Sequence, residues 1–287
     1  MFKKAMLSVR TNTRIIQAIG RHLTGMMAVF VVILLACSQT VSTAHATEFR
    51  FGINAEVSYK ESEAEVKRRY GPFLDELSRV SGHKFVFFPV YSDRVEQAVT
   101  GHLYDLLLIH THLALKATRE QKFQVLGFTD DRKNNQVYFF VRSDSAVKTL
   151  ADMAAGEIGV PGLQSWATAT ARSTLKNAAI ANPKLEPTRY QEAVPIMLEL
   201  NKAQAGISRS KSLVDDYVAQ KKVRVVHVTP PLPLNALIAS SAVPAAVVEE
   251  IRSAMTGMAQ SKAFDSMAFK GVRYSADEHR SLSDFYQ

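Results

Sequence analysis

The feature that most constrains the fold is a nearly continuous apolar run at 104–109, YDLLLI, which stands between two segments with helical spacing. Such a run is typical of a strand that is covered on both faces. Other strand-like segments, including 48–53, 84–90 and 157–160, also alternate with helical patterns. The alternation predicts an α/β protein in which open, mostly parallel sheets are flanked by helices.

Ligands of open α/β sheets bind beside the carboxyl ends of the strands. In this chain those ends fall at 53–59, 90–92, 109–112 and 161–166. Polar and aromatic side chains in these loops are therefore the first candidates for a binding site.

The first 46 residues predict export. Five basic residues and no acidic one occur in this segment, which contains an apolar run at 26–36 and ends in Ala44-His45-Ala46. This order is typical of a secretory signal peptide cleaved after Ala46. The apolar run is shorter than the roughly 20 residues that cross a membrane. One alternative stays open, because 34–37 (LLAC) resembles a lipobox and Cys37 could carry a lipid anchor.

Charge and composition exclude several classes of protein. The formal charge of +8 falls to +3 without residues 1–46, since 30 basic and 27 acidic residues remain. That balance does not indicate a nucleic-acid partner. Cys37 is the single cysteine, so the processed chain would lack disulfides and thiol chemistry. No P-loop, nucleophile elbow, metalloprotease or dinucleotide motif occurs, which favours a binding protein without cofactor over an enzyme.

Six short motifs follow one another in the order found in a known family. They are 69–78 (RYGPFLDELS), Tyr91 followed by Gly101 and Asp105, 141–145 (VRSDS), 150–153 (LADM) before Gly156, the loop 161–168, and 229–233 (TPPLP). Together they resemble the phosphate/phosphite/phosphonate periplasmic substrate-binding proteins of ABC transporters, over nearly all of 48–287.

The resemblance implies a two-lobed type II periplasmic binding fold. Lobe one would comprise 47–142 and 230–287, and lobe two 143–229, with chain crossings near 140–144 and 226–231. The protein would be a periplasmic monomer that captures a small anionic ligand, phosphonate-like or another oxyanion, in the cleft between the lobes. Its macromolecular partner would be an ABC permease in the inner membrane.

Strand ends and the resemblance together select seven candidate ligand-binding residues: Tyr91, His110, Thr111, Ser165, Trp166, Gln191 and Gln204. Tyr91 matches a ligand tyrosine of the family. Ser165 matches the first serine of its hydroxyl-rich anion loop, before a helix whose N-terminus favours an anion. Ser165 also suits a plain helix cap.

The same loop departs from the family pattern. Trp166 and Ala167 replace two of its hydroxyl residues, and Trp166 could either stack on a planar ligand or pack between the lobes. Gln191 and Gln204 fall where the family has a histidine and an aspartate. A ligand with an apolar or aromatic part would explain the lost hydroxyls.

Two other functions remain open on the sequence. The protein could sense a ligand for a membrane signalling protein instead of delivering it for transport. Alternatively, His110 and His112, two residues apart, could bind a metal ion and make the protein a metal carrier.

Overall fold

A computed structural model of the chain describes residues 47–55, 62–131 and 135–287. The predicted signal peptide, with Cys37 and Ala46, lies outside the described residues, as does part of the loop 53–59. Thr47–Gln287 forms one unit of the chain. Within the described part, no helix is long and apolar enough to cross a membrane.

Strands and helices alternate along this unit. The strands are β1 (Glu48–Asn54), β2 (Lys84–Val90), β3 (Leu106–His110), β4 (Phe123–Thr129), β5 (Tyr138–Arg142), β6 (Glu157–Pro161), β7 (Lys184–Thr188), β8 (Ala205–Ser208), β9 (Val223–Val228), β10 (Asn235–Ser240) and β11 (Val272–Arg273). The α-helices are α1 (Glu63–Ser81), α2 (Val95–Thr100), α3 (Thr111–Glu120), α4 (Trp166–Asn177), α5 (Ala193–Glu199), α6 (Lys211–Ala219), α7 (Ala245–Gly257) and α8 (Ala276–Phe285). Short 3-10 helices cover Ala151–Ala155 and Lys262–Phe264.

The strands form two mixed sheets, and most strands in each are parallel. The first sheet has the order β11-β4-β10-β3-β1-β2, in which β1 pairs in parallel with β2 and β3, while β10 runs antiparallel between β3 and β4. The second sheet has the order β7-β6-β8-β5-β9, with β6 parallel to β7 and β8, and β5 antiparallel to β8 and β9. The predicted fold class is thereby confirmed.

Burial of β3 on both faces explains why helices cover both sides of the first sheet. Leu106 and Leu108 lie in the apolar core shared with α1 and α7, whereas Leu107 and Ile109 lie in the core shared with α2 and α3. If either face of such a strand were exposed to water, the folded state would lose about 1.5–3 kcal/mol of free energy for each large side chain. The apolar run therefore has the role that its sequence predicts.

The first helix contains a proline in its interior. Gly71-Pro72 is a sequence pair that commonly breaks a helix, yet α1 continues through Pro72. A proline removes one hydrogen bond to a preceding carbonyl. The carbonyl that loses its partner is that of Arg68. Because Arg68 and Pro72 are both exposed, water can bond to this carbonyl, while Tyr70, Phe73 and other apolar residues hold the helix against the core.

The boundary between the two halves also differs from the expected one. β5 belongs to the second sheet because it pairs with β8 and β9, so residue 142 does not end the first half. Between the two sheets the structure describes 130–131 and 135–137 of the first connection and 229–234 of the returning one. These connecting segments run side by side, with hydrogen bonds from Thr229 N to Val137 O at 3.0 Å and from Leu232 N to Asn135 O at 3.1 Å.

A buried carboxylate joins the connecting segments near the first sheet. Asp131 Oδ1 accepts hydrogen bonds from Leu234 N at 3.2 Å and from Thr129 Oγ1 at 2.9 Å. Burial raises the pKa of Asp131, although these hydrogen bonds act in the opposite direction. The two connections are therefore tied to each other by backbone and side-chain contacts.

Gly206 offers a test of packing in the second sheet. A Cβ at this position would lie 2.6 Å from Val194 Cγ1 and 2.9 Å from Phe140 Cε2, both of which are fully buried. We expect Gly206→Ala to lower the free energy of unfolding by about 1–3 kcal/mol, measured by urea denaturation of 47–287. Gly257→Ala is the matched control, since nothing lies within 4 Å of its Cβ, and it should leave stability unchanged or slightly raised. Equal losses for both variants would contradict the packing argument.

Candidate functional site

A cavity of about 480 Å³ lies between residues of the two sheets. Its wall consists of residues at the ends of six strands or directly beyond them. They are Asn54 for β1; Ser92, Asp93, Val95 and Glu96 for β2; His110 and Leu113 for β3; 161–167 for β6; 189–192 for β7; and Arg209 for β8. These are the carboxyl ends of parallel strands, where α/β proteins bind their ligands. The structure thus brings the predicted strand-end loops together around one space.

The N-terminus of α4 forms one side of this cavity. Ser165 caps the helix, because its Oγ accepts a hydrogen bond from Thr168 N at 3.1 Å and donates one to Thr168 Oγ1 at 2.9 Å. Trp166 and Ala167 follow in the first turn, whose N–H groups have no acceptor within a helix. Since all three residues also line the cavity, a helix N-terminus with its partial positive charge borders the space.

Trp166 serves mainly as a core residue. Only 2% of its surface is exposed, and it packs with Phe139, Val160 and Leu175 in one core of the second sheet. Its indole N–H is directed to the Tyr286 hydroxyl without forming a hydrogen bond of normal geometry within the described residues. Trp166 also belongs to the cavity wall through the small part of the residue that stays exposed.

His110 lies in the wall at the end of β3. Its Nδ1 is 3.0 Å from Asn235 Oδ1. Because an amide oxygen only accepts hydrogen bonds, Nδ1 is the donor in this pair. β10 therefore fixes the orientation of the ring.

Gln191 also lines the cavity, with its Oε1 accepting a hydrogen bond from Ser208 Oγ at 3.2 Å. Gln204, in contrast, does not belong to the wall. It precedes β8, so it lies at the end of the strand opposite to the cavity, and its Nε2 donates to the Asp152 carbonyl at 2.9 Å. Gln204 therefore lies away from the cavity that the other predicted loops surround.

Tyr91 and Thr111 are also placed outside the wall. Tyr91 packs, partly buried, against the core of the first sheet, while its neighbour Ser92 lines the cavity. Thr111 is fully buried, and its Oγ1 donates to the Pro233 carbonyl at 2.8 Å. Both side chains hold the scaffold around the cavity without reaching into it.

Arg209 is a candidate that the sequence analysis missed. It directly follows β8, is partly buried, and lies in the cavity wall. Within the described residues its guanidinium forms no ion pair and no hydrogen bond. A guanidinium is always charged and offers five N–H donors, so this group is suited to an oxyanion. The rule that selects strand ends does point to Arg209 once Ala205–Ser208 is known to be a strand.

Arg189 and Tyr190 were missed as well. The Arg189 guanidinium carbon lies 5.4 Å from the centre of the Tyr190 ring, in a cation–π contact. Both residues line the cavity beside Gln191. The wall also has three acidic residues, of which Asp93 and Glu96 form ion pairs with other residues, at 3.8 Å to Arg94 Nε and 3.1 Å to Lys116 Nζ. Glu192 remains opposite the two arginines Arg189 and Arg209, so the wall keeps an excess of one positive charge.

His112 lies outside this cavity, and its ring centre is 6.1 Å from that of His110. Burial lowers the pKa of His112 to about 3, aided by His110, Arg172 and Lys116 and opposed by the Gln164 carbonyl. The ring is therefore neutral at pH 7. As for the metal-carrier alternative, the structurally described residues hold no group of three or more His, Cys, Asp or Glu side chains able to bind a metal ion.

A comparison with family models matches residues 57–279 to a family described as ABC transporter, phosphonate, periplasmic substrate-binding protein. The chain belongs to this family. The protein is therefore a substrate-binding component of an ABC transporter, and the family is one of binding proteins and not of enzymes. The match agrees with the resemblance that the sequence motifs indicate. A comparison with curated proteins finds no match.

Solved structures show the same fold. XAC2383 from Xanthomonas citri bound to ATP has a TM-score of 0.66 at 15% identity, over 84% of this chain and 97% of that chain. PhnD1 from Prochlorococcus marinus in complex with methylphosphonate has a TM-score of 0.56 at 12% identity, over 84% and 97%. A binding protein component of an ABC phosphonate transporter from Pseudomonas aeruginosa has a TM-score of 0.54 at 15% identity, over 83% and 85%. At these identities the likeness concerns the fold alone.

The lowered pKa of His112 predicts a pH dependence of stability. The unfolded chain binds a proton at His112 near pH 6.5, while the folded chain binds it only near pH 3, so stability is lost as the pH falls through this window. Between pH 6.5 and 5 the loss should be about 2 kcal/mol for this one residue. We expect His112→Phe to lose correspondingly less stability, measured by urea denaturation at both pH values. Parallel pH profiles for the two proteins would contradict the assignment.

Proposed function

We propose that the cavity between the two sheets captures a small organic oxyanion in the periplasm and presents it to an ABC permease in the inner membrane. The observation that carries the proposal is Arg209. A partly buried guanidinium without a partner among the described residues has lost part of its hydration and gained no ion pair. A bound anion would supply the compensating interaction, as charge-assisted hydrogen bonds do.

The α4 N-terminus supports the same ligand class independently of Arg209. Its first-turn N–H groups border the cavity, and such groups bind phosphate, sulfate and carboxylate groups. Gly162 has φ +58° in the loop before Ser165, a left-handed conformation that glycine adopts without strain. This turn carries the loop past the cavity before α4 begins.

The rest of the wall indicates that the ligand also has an organic part. Val95, Leu113, Leu163 and Trp166 contribute apolar surface, and about 480 Å³ exceeds the space that an inorganic oxyanion fills. The similar structures from P. marinus and X. citri were solved with methylphosphonate and ATP, ligands that both carry a phosphorus oxyanion. We therefore place phosphonates and phosphate esters first among the candidate ligands.

Capture would involve closure about the two connecting segments. The moving lobes would be 47–129 with 235–287, and 138–228, and the segments 130–137 and 229–234 would form the hinge. Closure about short connections is a common mode of ligand capture. The hydrogen bonds between these segments, including Thr229 N to Val137 O, would keep the lobes in register during the motion.

Arg209→Gln tests the proposed anion site. A panel of phosphonates, phosphate esters, sulfonates and carboxylates is screened by the melting temperature of 47–287, where ligand at 100 times its Kd stabilises by about 2.7 kcal/mol and shifts Tm by a few degrees. For the best ligand, the variant should bind about tenfold more weakly or worse by calorimetry, because a charged hydrogen bond is lost.

Two control variants accompany that measurement. Arg280→Gln removes an exposed arginine on α8, and Tyr91→Phe removes a phenol that lies outside the wall, so both should bind as the parent does. The anion site would be wrong if Arg209→Gln bound as tightly as these controls.

The N-terminus has its own test. We propose that the chain is cleaved after Ala46 and released as a monomer, with lipidation of Cys37 as the alternative. Mass spectrometry of the N-terminal peptide from the mature protein should give an unmodified start at Thr47. Detection of a diacylglyceryl-modified Cys37 would instead show that the receptor is anchored to the membrane.

A further inference from the structure

A second cavity, of about 580 Å³, lies between α3 and α4. Helix α3 follows β3 of the first sheet, while α4 follows β6 of the second. We call this space the α3–α4 seam. It is distinct from the proposed ligand cavity, although Val95, Glu96, Leu113 and Gln164 border both.

Cationic side chains line the seam from both helices. Lys116 and Arg119 come from α3, and Arg172 and Lys176 from α4. Within each helix the two residues are three or four positions apart, so they lie on one face. All four residues are exposed, and they bring positive charge to the seam from both helices.

Acidic groups only partly offset these charges. Lys116 Nζ pairs with Glu96 Oε1 at 3.1 Å, and Lys176 Nζ donates to the backbone oxygen of Gln287 at 2.9 Å. Glu120 is the other side-chain carboxylate in the lining. Arg119 and Arg172 make no ion pair and no hydrogen bond to any residue that the structure describes. The seam therefore has an excess of positive charge and two guanidinium groups available to a ligand.

His112 is a second and independent indication of a ligand. Both of its ring nitrogens are buried at the seam, and neither forms a hydrogen bond of normal geometry with the described part of the chain. Buried polar atoms without a partner are rare in folded proteins and call for an explanation such as an absent ion. The groups around the ring are His110, Lys116, Arg172, the Gln164 carbonyl and Tyr286, whose ring centre lies 6.2 Å away.

We infer that the α3–α4 seam is a second anion site, which binds a multivalent phosphate-type oxyanion such as a di- or polyphosphate group. Arg119 of α3 and Arg172 of α4 contact its oxygens from opposite sides, and the N–H of the neutral His112 ring donates a further hydrogen bond. A doubly charged anion matches the lining, in which four cationic side chains accompany the two carboxylates Glu96 and Glu120. By bridging the helices it holds the two sheets together, whichever ligand occupies the other cavity.

The oxyanion can come from two sources. It is either a free ion or the charged end of a long ligand that also fills the neighbouring cavity, since the two spaces share four wall residues. Arg209→Gln separates them. Pyrophosphate, a free ion, still binds the seam of this variant, whereas binding of a long ligand that also needs the neighbouring cavity is lost.

The test is a calorimetric titration of 47–287 with pyrophosphate at low salt, in an Arg209→Gln background. Adding Arg119→Gln and Arg172→Gln should weaken binding by about tenfold or more, since charged hydrogen bonds are removed. Lys67→Gln with Arg68→Gln is the matched control, because it removes two positive charges from exposed positions on α1. It should change the affinity by less than about twofold, as expected for screened distant charges.

A second readout follows the His112 ring by NMR, with His112→Phe identifying its resonances. Bound pyrophosphate should raise the pH at which the ring titrates, because an adjacent anion favours the protonated form. The seam site would be overturned by equal losses of affinity in the α1 control, by loss of all pyrophosphate binding in Arg209→Gln alone, or by an unchanged His112 titration.

Discussion

Leu106, Leu107, Leu108 and Ile109 are all buried, two on each face of β3, and this double burial determines the rest of the architecture. A strand without a solvent face requires helices on both sides of its sheet, and a helix must then connect each parallel strand to the next. Every connection that enters a helix leaves its strand at the carboxyl end. The loops that follow the parallel strands therefore collect along one edge of each sheet, and the proposed ligand cavity is the space that these two edges share.

The electrostatics of that cavity come from groups that the fold itself positions. Arg209 directly follows β8, and Ser165 caps the helix that follows β6. Because β6 and β8 are neighbouring parallel strands, both residues lie at the same edge of the sheet. A guanidinium and a helix N-terminus on adjacent strands reinforce each other for an anion. The neighbouring Trp166 side chain is anchored in the core, which keeps the start of α4 rigid. This preorganisation reduces the entropy that ligand binding must overcome.

Periodicity and the strand-end rule predict much of the fold and the location of the cavity, because both depend on local patterns along the chain. They predict individual site residues less well. Gln204 was chosen by position in a family pattern, but it precedes β8 and so lies at the opposite sheet edge from Arg209, which follows the same strand. Thr111 was placed correctly at the end of β3, yet its hydroxyl faces the returning segment at Pro233. Which way a side chain points, and which distant segment accepts its hydrogen bond, depends on tertiary packing that no local pattern records.

Helix α4 connects the two proposed sites. Its N-terminus borders the ligand cavity, while Arg172 and Lys176, one and a half to three turns further along, face α3 across the seam. Thr170 Oγ1 of α4 lies 2.9 Å from the Tyr286 hydroxyl. Tyr286 directly follows α8, so this contact also ties the C-terminal segment to α4. An anion that draws α3 and α4 together at the seam must change the spacing between the walls of the adjacent cavity. Linkage then requires the reverse effect of equal size, so a ligand that closes the cavity would strengthen binding at the seam by the same factor.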